Sequence, residues 1–167
     1  MTDLLVKLYD LPDPRPKIDI LAQRSVLIDR AMASEKNLVV DWVNHQFGEG
    51  WASECEISFS RRPISCLLAL FDDHMVGFSC HDCTCRNFFG PIGTDPLFRR
   101  KGIGKGLLLA TLQAMANNGY AYAIIGNAGP TEFFEKCAGA TIIPGSTPGI
   151  YRPSRLGIPD DNASRFR

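Results

Sequence analysis

Residues 87–125 read as strand, basic glycine-rich turn, helix, strand, and no other run restricts the possible folds as much. Asn87 to Thr94 is a strand that closes at Asp95-Pro96. Leu107, Leu108, Leu112 and Met115 recur at helical spacing until Asn117-Asn118-Gly119 stops the helix. Tyr120 to Ile125 then reads as a buried strand. Two strands joined through a helix of about four turns form a right-handed crossover, so they should be parallel.

The rest of the chain arranges itself around that unit. Ser65 to Phe71 and Met75 to Cys80 flank the turn Asp72-Asp73-His74 and should pair antiparallel. Val26 to Ile28 is a further strand. Ser34 is placed to N-cap a helix carrying Leu38, Val39, Trp42, Val43 and Phe47, and a shorter helix covers Trp51 to Phe59. Pro130 to Lys136 is a short helix, and Thr141–Ile143 with Gly149–Tyr151 reads as a final hairpin. Leu4 to Asp10 has strand character, but the Asp-Pro-Arg-Pro stretch after it breaks the pattern. Residues 1–25 are therefore an N-terminal arm or an extra strand, 26–151 one domain, and 152–167 a tail. The fold class is α/β (α+β): a mixed, mostly antiparallel sheet with one parallel β-α-β unit and flanking helices.

A length of 167 residues suits one such domain, and 45% hydrophobic with 22% charged residues argues against disorder. No apolar run approaches the roughly 18 residues of a membrane span, and no signal-peptide core opens the chain. Six cysteines at irregular spacing do not make a disulfide framework. The expectation is a soluble, cytoplasmic protein with no membrane partner.

The chemistry lies in Arg99-Arg100-Lys101-Gly102-Ile103-Gly104-Lys105-Gly106, set between a strand and a helix start. A helix N-terminus presents unsatisfied N–H groups and partial positive charge, and glycines let an anion approach the backbone. From Pro96 to Thr131, 36 residues, there is no Asp or Glu. The pattern is that of a phosphate site. It is not a P-loop, because Gly106 stands where the magnesium-binding Ser or Thr should follow Gly104-Lys105. Nor is it a dinucleotide fingerprint, since the third glycine comes one residue early and Ile124-Ile125 occupies the place of an acidic ribose partner. The basic loop lacks the interleaved aromatics of a single-strand nucleic-acid binder.

The segment resembles the GNAT superfamily of acyl-CoA-dependent N-acetyltransferases. Arg99-x-x-Gly102-x-Gly104 matches that family's pyrophosphate loop, and Ile92-Gly93-Thr94-Asp95-Pro96 stands where its preceding strand ends, with Thr94 in place of the usual Val. A second family motif is approached by Asn127-x-x-Pro130-x-x-Phe133-Phe134-x-Lys136 followed by Ala138-Gly139-Ala140. The resemblance spans about Val26 to Tyr151. It implies acetyl-CoA as co-substrate, and an amine acceptor on a small molecule or peptide that attacks the thioester directly. A non-catalytic CoA-binding sensor is the alternative, and a homodimer is consistent with the family. Arg99, Arg100, Lys101, Gly102, Ile103, Gly104, Lys105 and Gly106 would surround the pyrophosphate. Ile92, Gly93 and Thr94 would border the pantetheine arm, bound like an added strand, and Asn127 and Phe134 would complete the cofactor site.

Catalytic groups are harder to name. The family's usual Tyr, which assists the leaving thiol, is replaced by Phe134. Tyr151 is a candidate substitute, and Glu54 or Glu56 a candidate base on the acceptor side, against the ordinary reading of solvated side chains. His45 and His74 read as surface residues. Cys80-His81-x-Cys83-x-Cys85 invites a zinc reading, yet strand alternation sends Cys80 and His81 to opposite faces and no second knuckle follows. Ordinary thiols at a hairpin end, with no metal, are expected. Trp42 and Trp51 should be core or pocket wall.

The formal net charge of zero conceals an asymmetry. Residues 1–95 hold 9 basic and 14 acidic side chains, net −5, and residues 96–167 hold 9 basic and 4 acidic, net +5. The positive half carries the proposed polyanion loop, and the negative half favours a cationic acceptor.

Overall fold

The computed structural model describes residues 1–150. In chain order the elements are β1 (Thr2–Lys7), α1 (Arg15–Ala22), β2 (Val26–Arg30), α2 (Lys36–Phe47), α3 (Glu49–Ser58), β3 (Cys66–Phe71), β4 (His74–His81) and β5 (Phe88–Thr94). They continue with α4 (Ile103–Asn117), β6 (Tyr122–Ala128), α5 (Thr131–Ala138) and β7 (Thr141–Ile142). The strands form one sheet in the order β2-β3-β4-β5-β6-β1-β7. Among the described residues only β5 and β6 pair in parallel; the other ladders are antiparallel. The mixed sheet with one parallel crossover unit is the architecture expected from the sequence.

Helices cover both faces. On one side α1, α4 and α5 bury Leu21, Leu107, Leu108, Leu112, Met115 and Phe134 against the sheet. Nine of the fifteen residues of α4 are buried, so it is a core helix, and its one buried polar contact joins Thr111 to Ser79 of β4 at 2.8 Å. On the other side α2 and α3 pack Val39, Val43, Ala52 and Cys55 onto Leu68 and Phe78. Among the described residues no helix is long and apolar enough to cross a membrane.

Three expectations need revision. Of the two readings of residues 1–25, the extra strand is the one found: β1 inserts between β6 and β7, with Leu4 and Val6 fully buried, and α1 follows it. The proline-rich stretch read as a break instead starts this helix, because Pro16 lies in its first turn, where a missing N–H costs nothing. The second revision concerns Ser34, which lies inside a short 3₁₀ turn ahead of α2; Glu35 closes that turn by accepting the Met32 N–H at 2.7 Å. Finally, among the described residues β7 pairs with Leu4 and Leu5 of β1 and with no following strand. Tyr151 and the tail from 152 lie outside the described residues.

Candidate cofactor site

Parallel pairing of β5 with β6 lasts only from Phe88 opposite Ile124 to Phe89 opposite Ile125. Beyond Phe89 the strands part. Gly90 takes φ +121°, a value open to glycine, and the β4–β5 register shifts between Ser79 and His81. The Asp95 N–H donates to the Val76 carbonyl at 2.9 Å. By antiparallel alternation Gly93 also turns its backbone polar groups toward β4, while Ile92 and Thr94 turn theirs toward the side that β6 has left. An unpaired strand edge thus faces a cleft. Gly93 has a steric role on the opposite face: a Cβ there would come within 2.5 Å of the Phe47 ring. That ring stacks on Trp51 and meets Trp42 edge-on, so both tryptophans belong to an aromatic wall on the α2–α3 side.

The basic loop follows directly. Asp95 accepts the Leu97 N–H at 2.8 Å and secures the 3₁₀ turn Pro96–Phe98. Arg100 at φ +61° and Gly102 at φ +86° then curl the chain into α4. The first intrahelical bond of α4 runs from Gly106 N–H to the Gly102 carbonyl at 3.1 Å. The N–H groups of Ile103, Gly104 and Lys105 precede it and have no intrahelical acceptor, which is what an anion requires. Arg99 extends its Nε toward the Thr94 carbonyl at 3.4 Å, and Lys101 lies 4.4 Å over the Phe98 ring. An additional cation comes from α1: a Cβ on Gly102 would run into the Nζ of Lys17. Nothing in the local sequence pointed to Lys17, because only α1 packing on α4 brings it there.

The profile of the Acetyltransferase (GNAT) family matches residues 36–140, well over half of the chain. The chain belongs to the GNAT family. Solved structures agree on the fold. A GCN5-related glucosamine N-acetyltransferase region of a fungal multidomain β-N-acetylglucosaminidase superposes with TM-score 0.70 at 13% identity, over 85% of this chain and 19% of that one. GCN5-related N-acetyltransferases from Sphaerobacter thermophilus (TM-score 0.60, 15% identity, 85% of this chain and 48% of that one) and Kribbella flavida (0.58, 17%, 84% and 53%) are similar too. This GNAT chain therefore spans between a fifth and about half of the length of these structures. No curated protein matches it in sequence.

Within the GNAT frame, the remaining sequence-predicted residues divide. Asn127, at φ +50°, donates its N–H to Asp3 Oδ1 at 2.8 Å, so β1 fixes the β6 end where the cleft opens. Gly106 does not fit the anion role expected of it. Its N–H is used within the helix, and a Cβ there would strike Leu21 and Ile28; it is a packing glycine between α1 and α4. Phe134, expected beside the cofactor, is a buried residue. It is buried against Phe89 and Phe133, because the i, i+4 pair Phe134 and Ala138 forms the core face of α5. Phe133 is the ring nearest Gly104, 3.7 Å from where a Cβ would stand.

The acceptor-side carboxylates are engaged elsewhere. Glu54 Oε1 accepts the Thr84 hydroxyl at 2.6 Å, at the end of the sheet where β5 begins, while the basic loop follows β5's last residue. Glu56 pairs with Lys36 at 2.8 Å. A cavity of about 320 Å³ lies at that same far end, lined by Arg61, Arg62, Arg86, His81, Asp82 and Tyr120. It is separate from the β5–β6 cleft. His81 Nδ1 meets Asp82 at 3.1 Å, yet burial is the larger influence and pulls the imidazole below its ordinary value.

Proposed function

We propose that this GNAT domain transfers an acetyl group from acetyl-CoA to a primary amine of a small molecule or peptide. The observation that carries the reading is the adjacency of two binding surfaces at one end of β5. The outward backbone groups of Ile92 and Thr94 suit an extended amide-bearing arm, and the α4 N-terminus suits its pyrophosphate. Arg99, Arg100, Lys105 and Lys17 supply charge around it, and Asn127 borders the arm. The aromatic wall of Phe47, Trp51 and Trp42 closes the α2–α3 side of β5, where an acceptor would meet the thioester.

The amine nitrogen attacks the thioester carbonyl, the C–S bond breaks, and CoA leaves as thiolate while the amine proton passes to solvent or a base. A thiol of ordinary pKa, about 8.5, leaves near neutrality with little acid assistance, so a phenylalanine at 134 is compatible with turnover. Its complete lack of a proton to give is the one feature favouring the second reading, a CoA-binding module without transfer.

The test combines binding and turnover. Acetyl-CoA should raise the melting temperature, and thiol release should appear with one member of an amine panel. Stabilisation without release on any amine selects the module. No stabilisation by either acetyl-CoA or CoA would falsify the cofactor assignment. Gly102→Glu should abolish the shift, because it adds bulk and negative charge at the anion position.

A further inference from the structure

The cysteines do not group as their spacing along the chain implies. Cys80 stands directly across the β3–β4 ladder from Cys66, so the two side chains leave the same face of the sheet. Cys55 of α3 meets them there. The three Sγ atoms all lie within 4.8 Å of one another, and all three residues are 0% exposed. Cys83, in the turn after β4, brings a fourth thiol into contact with that of Cys80 and donates to the His81 carbonyl at 3.4 Å. His81 itself faces the opposite side, toward Tyr120 and Asn118, so the donor set is entirely sulfur. Cys83 stands beside this three-sulfur group and not within it, and Cys85 and Cys137 are outside it too.

Such a set has a defined chemistry. In a tetrahedral thiolate site with Zn–S near 2.3 Å, neighbouring sulfurs stand ~3.8 Å apart; Cys55, Cys66 and Cys80 need only a small contraction to reach that, and Cys83 must turn its thiol from the His81 carbonyl to complete the set. The cysteines of the three-sulfur group belong to three elements, α3, β3 and β4, and the buried residues of α3 are the small Ala52, Cys55 and Ser58.

We propose that Cys55, Cys66 and Cys80, with Cys83 as fourth ligand, bind one Zn²⁺ ion that clips α3 to the β3–β4 hairpin. Each ligating thiol releases its proton to solvent and donates a sulfur lone pair, and no electron is transferred. The site is structural, since all four thiols are committed and no position remains for substrate. It lies away from the β5–β6 cleft and does not depend on the acyl-transfer reading.

The experiment uses the full chain purified under reducing conditions. Elemental analysis should give one zinc per chain. Exchange for Co²⁺ should produce sulfur-to-metal charge-transfer bands with the visible spectrum of a tetrahedral ion. Chelation should lower the melting temperature, and added Zn²⁺ should restore it. Cys55→Ala and Cys80→Ala should lose the cobalt spectrum, while Cys137→Ala keeps it. If the first two variants do not fold, the wild-type measurements decide alone. A folded, reduced chain that carries no zinc and develops no charge-transfer band overturns the proposal. So does a cobalt spectrum that survives Cys55→Ala, or a Cys66–Cys80 disulfide in the isolated protein.

Discussion

The carboxylate of Asp3 accepts the backbone N–H of Asn127 at 2.8 Å, joining residues 124 positions apart at the end of β6. Asn127 sits at φ +50°, a left-handed conformation that an L-residue adopts at some cost. Asp3→Ala removes a charge-assisted hydrogen bond and should cost about 1–3 kcal/mol in urea denaturation. It should also weaken CoA binding, measured by calorimetry, because the cleft edge loses its fixed end. Affinity equal to wild type would disconnect β1 from the cofactor site.

Lys17 reaches the anion loop from α1, and its Nζ fills the space beside Gly102. Lys17→Ala should leave apo stability within about 0.5 kcal/mol of wild type, yet raise the CoA dissociation constant several-fold. The loss should shrink as salt is added, since the contribution is electrostatic. A salt-independent loss would assign Lys17 a packing role instead.

Gly93 admits the Phe47 ring against β5, and a Cβ added at that position would stand only 2.5 Å from the ring. Gly93→Ala overpacks this contact and should destabilise by about 1–3 kcal/mol. Phe47→Leu in the same chain should recover part of that loss. If the double variant is less stable than the sum of the single changes, relief of the clash is not the cause.

His81 has its pKa lowered by burial, with Arg30 and Arg61 acting in the same direction and Asp82 opposing them. As pH falls below about 6.5 the unfolded imidazole takes up a proton before the native one does. The unfolded state then binds more protons, so this contribution to stability is present above that pH and is lost as pH falls through the native value. Denaturation midpoints measured across mildly acidic pH should decline on acidification, and the decline should be flatter in His81→Gln. An identical slope in the variant would remove His81 as its source.

Much of the site was legible in the chain itself. The crossover unit of β5, α4 and β6, the arrested P-loop pattern and the motif Arg99-x-x-Gly102-x-Gly104 all rest on local rules, namely strand and helix periodicity and the freedom of glycine. Phe134 and Gly106 show the limit of such reading. Phe134 matches a motif position and Gly106 follows one, but Phe134 points into the core because of the face α5 presents, and Gly106 is small because α1 crosses α4 there.

By itself, the sequence determined the fold class, the basic glycine-rich loop and the family resemblance, because residues close along the chain specify turns, caps and periodicity. Tertiary structure alone decided that β1 enters the sheet beside β6, that Lys17 joins the loop, and that Cys55 and Cys66 meet Cys80. Those relationships depend on which elements pack together. Packing is set by the shapes and buried areas of whole faces, which no short spacing along the chain records.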